Sequence, residues 1–175
     1  MTETTNTLPR LTRGVVYLIM GAVTLVGVAL IVASVAMPFV WEQGMAEAAR
    51  ANPNLKPDGL MTQLYIVFAL LLIALGIIWT ILRKLNAIVG SVATGDPFVT
   101  ANAVRLRAIG WLMVAVQVVG IPLTLTAQRA ADMIGENDVR YTVSISAVLA
   151  TLLVFILADV FQRGADMRAD LEGMV

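Results

Sequence analysis

The chain has 175 residues, 59% of them hydrophobic and only 14% charged, and its mean hydropathy is +0.85. A water-soluble domain is about half apolar and about a quarter charged, so these values exclude an ordinary soluble domain, and high hydrophobicity with low charge excludes intrinsic disorder. Twelve basic residues balance twelve acidic ones, which removes the basic footprint of a direct nucleic-acid binder; the absence of Cys and His removes disulfides, thiolate nucleophiles, imidazole catalysis and most transition-metal sites.

An α-helix needs about 20 mostly apolar residues to cross a bilayer. Four charge-free windows meet or approach that length: 14–40 with 27 residues, 60–82 with 23, 109–126 with 18 and 142–158 with 17. They predict an all-α polytopic membrane protein, a bundle of four transmembrane helices filling 14–158, with a tail at 1–13 and a helical tail at 159–175. Arg10 and Arg13 before the first window imitate a signal peptide, and Ser34-Val35-Ala36 imitates a cleavage site. The apolar run is far longer than a signal h-region, however, so it reads as a retained first helix.

Lys and Arg set the direction. Arg10, Arg13, Arg83, Lys84, Arg105, Arg107, Arg163 and Arg168 fall on one side, against Arg50, Lys56, Arg129 and Arg140 on the other. Both termini and the middle connector are therefore expected in the cytoplasm. Tyr17, Trp79 and Trp111 fall near inner ends of the windows, and Trp41, Tyr65 and Tyr141 near outer ends, as interfacial aromatics do.

The remaining segments follow in chain order. Met1–Leu11 reads as a disordered tail. In the first outer loop, 41–59, Glu42–Ala51 is helix-friendly, Asn52-Pro53-Asn54 stops it and Pro57-Asp58-Gly59 is a turn. Past the second window, Leu85, Ile88, Val89, Val92 and Ala93 recur at helical spacing and predict an amphipathic connector helix, with Lys84, Asn86, Ser91 and Thr94 off its stripe. Gly95 ends that helix, and Thr100 or Asn102 caps the next. Arg105 and Arg107 point to different faces, one towards lipid headgroups and the other towards Asp96, the C-terminal tail or a partner. The second outer loop, 127–141, carries Asp132, Glu136 and Asp138, which lack the spacing of a calcium loop and read as a solvated surface. In the C-terminal tail Val160, Gly164, Met167 and Leu171 form an apolar stripe, and Asp159–Arg163, Arg163–Asp166 and Arg168–Glu172 have ion-pair spacing.

No Asp, Glu, Lys or Arg lies inside the four windows. Intramembrane charges mark proton and ion pathways, so their absence argues against a transporter. Gln117, near the middle of the third window and followed by Gly120 and Pro122, is the intramembrane polar candidate, read as an interhelical hydrogen bond beside a kink. Ala29/Ala33 and Ser146/Ala150 allow close helix contacts within the bundle or in a homo-oligomer.

The inner connector reads Gly95-Asp96-Pro97-Phe98, then Asn102-Ala103-Val104-Arg105-Leu106-Arg107-Ala108-Ile109-Gly110-Trp111. With the ending Val160-Phe161-Gln162-Arg163-Gly164-Ala165-Asp166-Met167-Arg168, it resembles the DUF2975 family of small bacterial four-span membrane proteins, with Met167 where the family has Leu. The resemblance covers nearly the whole chain and implies the fold and a place in the inner (cytoplasmic) membrane of a bacterium. It also implies a context, since genes of this family often neighbour one for a very small helix-turn-helix regulator.

The leading expectation is accordingly a membrane-embedded regulatory partner that docks or signals to such a regulator. Phe98, Arg105, Arg107, Arg163 and Met167 are its candidate contacts. The alternatives are a small transporter, channel or immunity protein with a polar path at Gln117, Thr124 and Thr126, and a structural membrane subunit. An enzyme is not expected, because no side chain supplies a base with a pKa near neutrality and Gly90–Gly95 lacks the Gly-Lys-[Ser/Thr] ending of a phosphate loop. No cofactor is expected, and the lipid bilayer is the first partner.

Overall fold

The structure is a computed structural model that describes residues 7–53, 55–93, 97–135 and 144–172. Those residues form four helices: α1 (Thr7–Ala51), α2 (Leu60–Ala93), α3 (Thr100–Ile134) and α4 (Ile145–Glu172). All four are long and apolar enough to cross a membrane, and no more than 11% of any helix's most apolar window is buried inside the chain. Leu18, Leu25, Phe39, Leu153 and Ile156 are each more than 60% exposed. A soluble monomer does not carry so continuous an apolar surface, whereas lipid covers it at no cost. The protein is a multi-pass membrane protein with an all-α bundle.

The helices outrun the charge-free windows. At about 1.5 Å per residue α1 is about 68 Å long, roughly twice the hydrocarbon thickness of a bilayer. Two expectations are corrected here. Thr7–Leu11 already belongs to α1 rather than to a disordered tail, and the polar stretch 127–134 continues α3 rather than forming a loop. The helix-friendly stretch Glu42–Ala51 is helical as expected, and it is the end of α1 itself. The common reason is that a membrane helix is already nucleated, and adding a polar turn to it gains one backbone hydrogen bond per residue. Glu136, Asp138, Arg140, Tyr141 and Thr142 lie outside the described residues, as do Gly95 and Asp96.

The stops obey local chemistry. Asn52 makes the last α-helical bond of α1, to Ala48, and Pro53 cannot continue it. Gly59 takes φ 84° and α2 starts at the next residue, with Leu60 N–H bonded to the Pro57 carbonyl. Gly135, at φ 86°, closes α3 in the left-handed conformation that glycine adopts without strain. Ser144 caps α4, its Oγ accepting the Ala147 N–H at 3.4 Å.

The helices divide by contact into two compact units. The first holds the described residues of Met1–Ala22, Ile77–Ala115 and Ser144–Val175; the second holds those of Val23–Gly76 and Val116–Val143.

In the first unit the core is Ile88, Leu106, Ile109 and Ala158, with Ile81, Met113, Val154 and Phe161 packed on it. α4 enters along Ala147, Thr151, Val154, Ala158, Phe161 and Ala165, all buried or half-buried at alternating steps of four and three. That 3.5-residue repeat is the seam spacing of packed helices, and its small residues let the backbones approach. Ser146 and Ala150 are exposed, so they do not make the contact expected of them within the chain; Ala29 and Ala33, on the second unit's part of α1, are exposed as well. The connector end of α2 is less one-sided than its sequence. Ile88 is buried but Leu85 and Val92 are exposed, while Asn86 and Ser91 both face neighbours. Helices on several sides of α2 give its polar residues partners.

In the second unit α1 presents a seam of half-buried residues, Val23, Gly27, Leu30, Ser34, Met37 and Trp41, again at alternating four and three. Pro38 lies inside α1 and has no N–H, so the Ser34 carbonyl four residues earlier loses its helical donor. The Tyr65 hydroxyl of α2 donates to that carbonyl at 3.2 Å. The loop between α1 and α2 meets the end of α3. Lys56 N–H donates to the Met133 carbonyl at 2.8 Å and Asn52 Nδ2 to the Ile134 carbonyl, so two open carbonyls at the end of α3 are satisfied.

Candidate functional site

The motif-bearing residues converge in the first unit, where α2 ends and α3 begins. Asn102 is completely buried and is the hub. Its Nδ2 donates to Ser91 Oγ at 2.6 Å and to the Pro97 carbonyl at 2.9 Å. Its Oδ1 accepts from Arg105 Nη1 at 2.8 Å, and Ser91 Oγ itself donates to the Ile88 carbonyl at 2.7 Å. One amide thus ties the end of α2, the connector and the first turn of α3. Asn102 was a candidate N-cap, and this role is different. It sits inside the helix, whose first backbone bond runs from Asn102 N–H to the Val99 carbonyl. Thr100, the other candidate, is the first helical residue.

Phe98 lies over α4. Its ring centroid is 5.3 Å from that of Phe161, and a β-carbon on Gly164 would come within 2.7 Å of the Phe98 ring. Only glycine admits the ring there. Trp111 meets Phe155 edge-on at 5.5 Å, and a β-carbon on Gly110 would lie 2.8 Å from the same Phe155 ring. The two motif glycines are therefore the places where aromatic rings of a neighbouring segment reach the helix backbone. Leu106 is in the core, and Pro97 contributes its carbonyl to Asn102.

The two arginines separate as the two-residue spacing requires. Arg107 Nη2 meets Asp159 Oδ1 of α4 at 3.2 Å, with both side chains more than half exposed. Arg105 turns the other way, onto Asn102 and into a cleft shared with Thr80, Arg83, Lys84 and Ala87. The tail's expected Asp159–Arg163 and Arg163–Asp166 pairs are not made: Asp159 turns to Arg107, and Asp166 accepts from Gln162 Nε2 at 2.9 Å. The third expected pair, Arg168–Glu172, rests on a side chain outside the described set.

The tail's apolar stripe is also corrected. Ala158, Phe161 and Ala165 face the core, and of the predicted stripe only Gly164 packs; Val160, Met167 and Leu171 are 52%, 63% and 63% exposed. The inward face is chosen by small and aromatic residues that fit against Phe98 and the core, not by the largest aliphatics. Arg163 and Met167 therefore lie on a surface the chain leaves open, while Phe98, Arg105 and Arg107 are engaged within the chain.

Gln117 is half-buried in α3 and has a bonding partner. Thr124 Oγ1 donates to the Gly120 carbonyl at 2.9 Å, and Thr126 Oγ1, buried, donates to the Pro122 carbonyl at 2.7 Å. Both hydroxyls thus spend their protons on their own helix beside the proline. Among the described residues no group of three acidic side chains could hold a metal ion.

A family model described as a protein of unknown function (DUF2975) matches residues 44–175. The match takes in the end of α1 and all of α2, α3 and α4; the earlier part of α1 lies outside it, so the likeness covers less of the chain than its motifs and length imply. No curated protein and no solved structure matches the chain.

Proposed function

The chain belongs to the DUF2975 family, and from that premise we propose that it is a membrane-embedded regulatory partner that holds a small cytosolic helix-turn-helix regulator against the inner membrane. One observation carries the reading. Beyond Ala158, α4 continues as a charged helix to Glu172, and its outward face bears Val160, Met167 and Leu171 beside Arg163. Charges at Asp159, Arg163, Asp166, Arg168 and Asp170 keep this segment out of the hydrocarbon, so lipid does not cover those side chains. An apolar stripe rimmed by charge on a projecting helix is the form of a helix-in-groove contact. The positive-inside count supports a cytoplasmic position for it, and the family's gene context supports the kind of partner. Phe98, packed on Phe161 and Gly164, positions the docking helix; with Arg107 on Asp159 it couples that helix to the α2–α3 connector. No catalytic group or cofactor enters this reading. A transport path through α3 has less support, because Thr124 and Thr126 bond to their own helix.

The test is co-purification of the tagged full chain with the neighbouring regulator, expressed together and identified by mass spectrometry. The regulator is expected with the intact chain and is expected to be lost from a Met167→Asp/Leu171→Asp variant that still folds. Retention by that variant, or no regulator with the intact chain, refutes the reading.

A further inference from the structure

We propose that the cleft of Thr80, Arg83, Lys84, Ala87 and Arg105 is a binding site for a phosphate group, supplied by the headgroup of an anionic phospholipid. On α2 the four residues Thr80, Arg83, Lys84 and Ala87 fall at i, i+3, i+4 and i+7, one face of the helix. α3 brings Arg105 to the same cavity, whose volume is about 340 Å³, within the range of small-ligand clefts. Three cations and a threonine thus line one cleft, and no carboxylate is among the lining residues. Among the described residues Arg83 and Lys84 have no hydrogen bond or ion pair, and Arg105 is held by the neutral Asn102 oxygen. Converging cations repel one another unless an anion joins them, and guanidinium groups match the oxygens of a phosphate.

Depth selects the source. The 23 charge-free residues of 60–82 make about 35 Å of helix, enough to cross the hydrocarbon, so Arg83 and Lys84 emerge at the level of lipid phosphates. Arg105 precedes the charge-free stretch 109–126 by four residues and reaches the same boundary from α3. General anchoring by positive residues needs cations at the boundary but not on one cleft; basic pockets between membrane helices are the form that headgroup sites take. The Asn102 hub gives the site a fixed wall, because the same amide that joins α2 to α3 orients Arg105. The inference does not depend on the proposed regulator, which engages α4.

The full chain is reconstituted in nanodiscs of phosphatidylcholine with a minor fraction of phosphatidylglycerol, then released gently for native mass spectrometry of retained lipid. The expected result is preferential retention of phosphatidylglycerol by the wild type. Retention falls at least about ten-fold, the factor corresponding to about 1.4 kcal/mol, in Arg83→Gln/Lys84→Gln. Arg50→Gln, which removes an exposed cation outside both proposed sites, leaves it unchanged. Arg83→Lys keeps the charge and most of the lipid, which separates loss of binding from loss of folding. Excess inorganic phosphate is the second arm. If it leaves the lipid bound, the headgroup is the ligand; if it displaces the lipid and protects the chain against heating through Arg83 and Lys84, the site stands with free phosphate as its source. Retention that is equal for both lipids without any phosphate effect, that survives Arg83→Gln/Lys84→Gln, or that falls as far with Arg50→Gln, overturns the proposal.

Discussion

Replacing Tyr65 by Phe isolates one part-buried hydrogen bond between α1 and α2. The Tyr65 hydroxyl reaches the Ser34 carbonyl at 3.2 Å, and that carbonyl lacks its helical donor because position 38 is proline. Ser34 cannot compensate with its own hydroxyl, which donates to the Leu30 carbonyl at 2.8 Å. The contact is part-buried, so Tyr65→Phe leaves that carbonyl without its protein donor, at a cost of about 1–3 kcal/mol. In a Pro38→Ala background the restored N–H fills the same acceptor, and there Tyr65→Phe is expected to cost less than about 0.5 kcal/mol, a net hydrogen bond at the low end. The double-mutant cycle therefore yields a coupling of about 0.5–3 kcal/mol. Denaturation of the full chain in mixed micelles, followed by tryptophan fluorescence, measures each corner. Equal costs of Tyr65→Phe in the two backgrounds would refute the argument, since the phenol would then be stabilising something other than the proline-freed carbonyl.

Two further outcomes test the connector. Asn102→Ala removes two donated bonds and one accepted from Arg105, and is expected to destabilise by about 3 kcal/mol in the same assay, taking about 1 kcal/mol for each. Thr100→Ala, exposed in the same turn, should change stability by less than about 0.5 kcal/mol, and similar losses for the two would remove Asn102 from its role as hub. Gly110→Ala pushes a β-carbon into the Phe155 ring at 2.8 Å and should cost about 1–3 kcal/mol despite the better helix propensity of alanine. In a Phe155→Ala background that cost should vanish, and a persistent loss would place the conflict elsewhere.

Much of the inner motif could be named from sequence but not assigned. Asn102 sits at a plausible cap position, and nothing in its spacing says that Ser91, eleven residues earlier, would meet it. That meeting needs the end of α2 and the start of α3 to pack against each other. Phe98 and Gly164 are 66 residues apart, and the chain shows no local reason for a glycine in the middle of α4. The Thr80, Arg83, Lys84 and Ala87 face was legible as helical spacing; Arg105 joins it only through packing.

By itself the sequence determined what depends on transfer from water and on local backbone chemistry. It set the membrane environment, the number of helices, the proline and asparagine that stop α1, and the glycine turn before α2. Tertiary structure alone decided which face of each helix is the seam. In water the buried face is the apolar one, so periodicity reveals it. In lipid the outward face is as apolar as the inward one, and α1 and α4 show their steps of four and three only once packing has selected Gly27 and Ser34, or Ala158 and Ala165, from among equally hydrophobic neighbours. The same packing decided that Asp159 would meet Arg107 rather than Arg163, and that Val160, Met167 and Leu171 would be left facing outward.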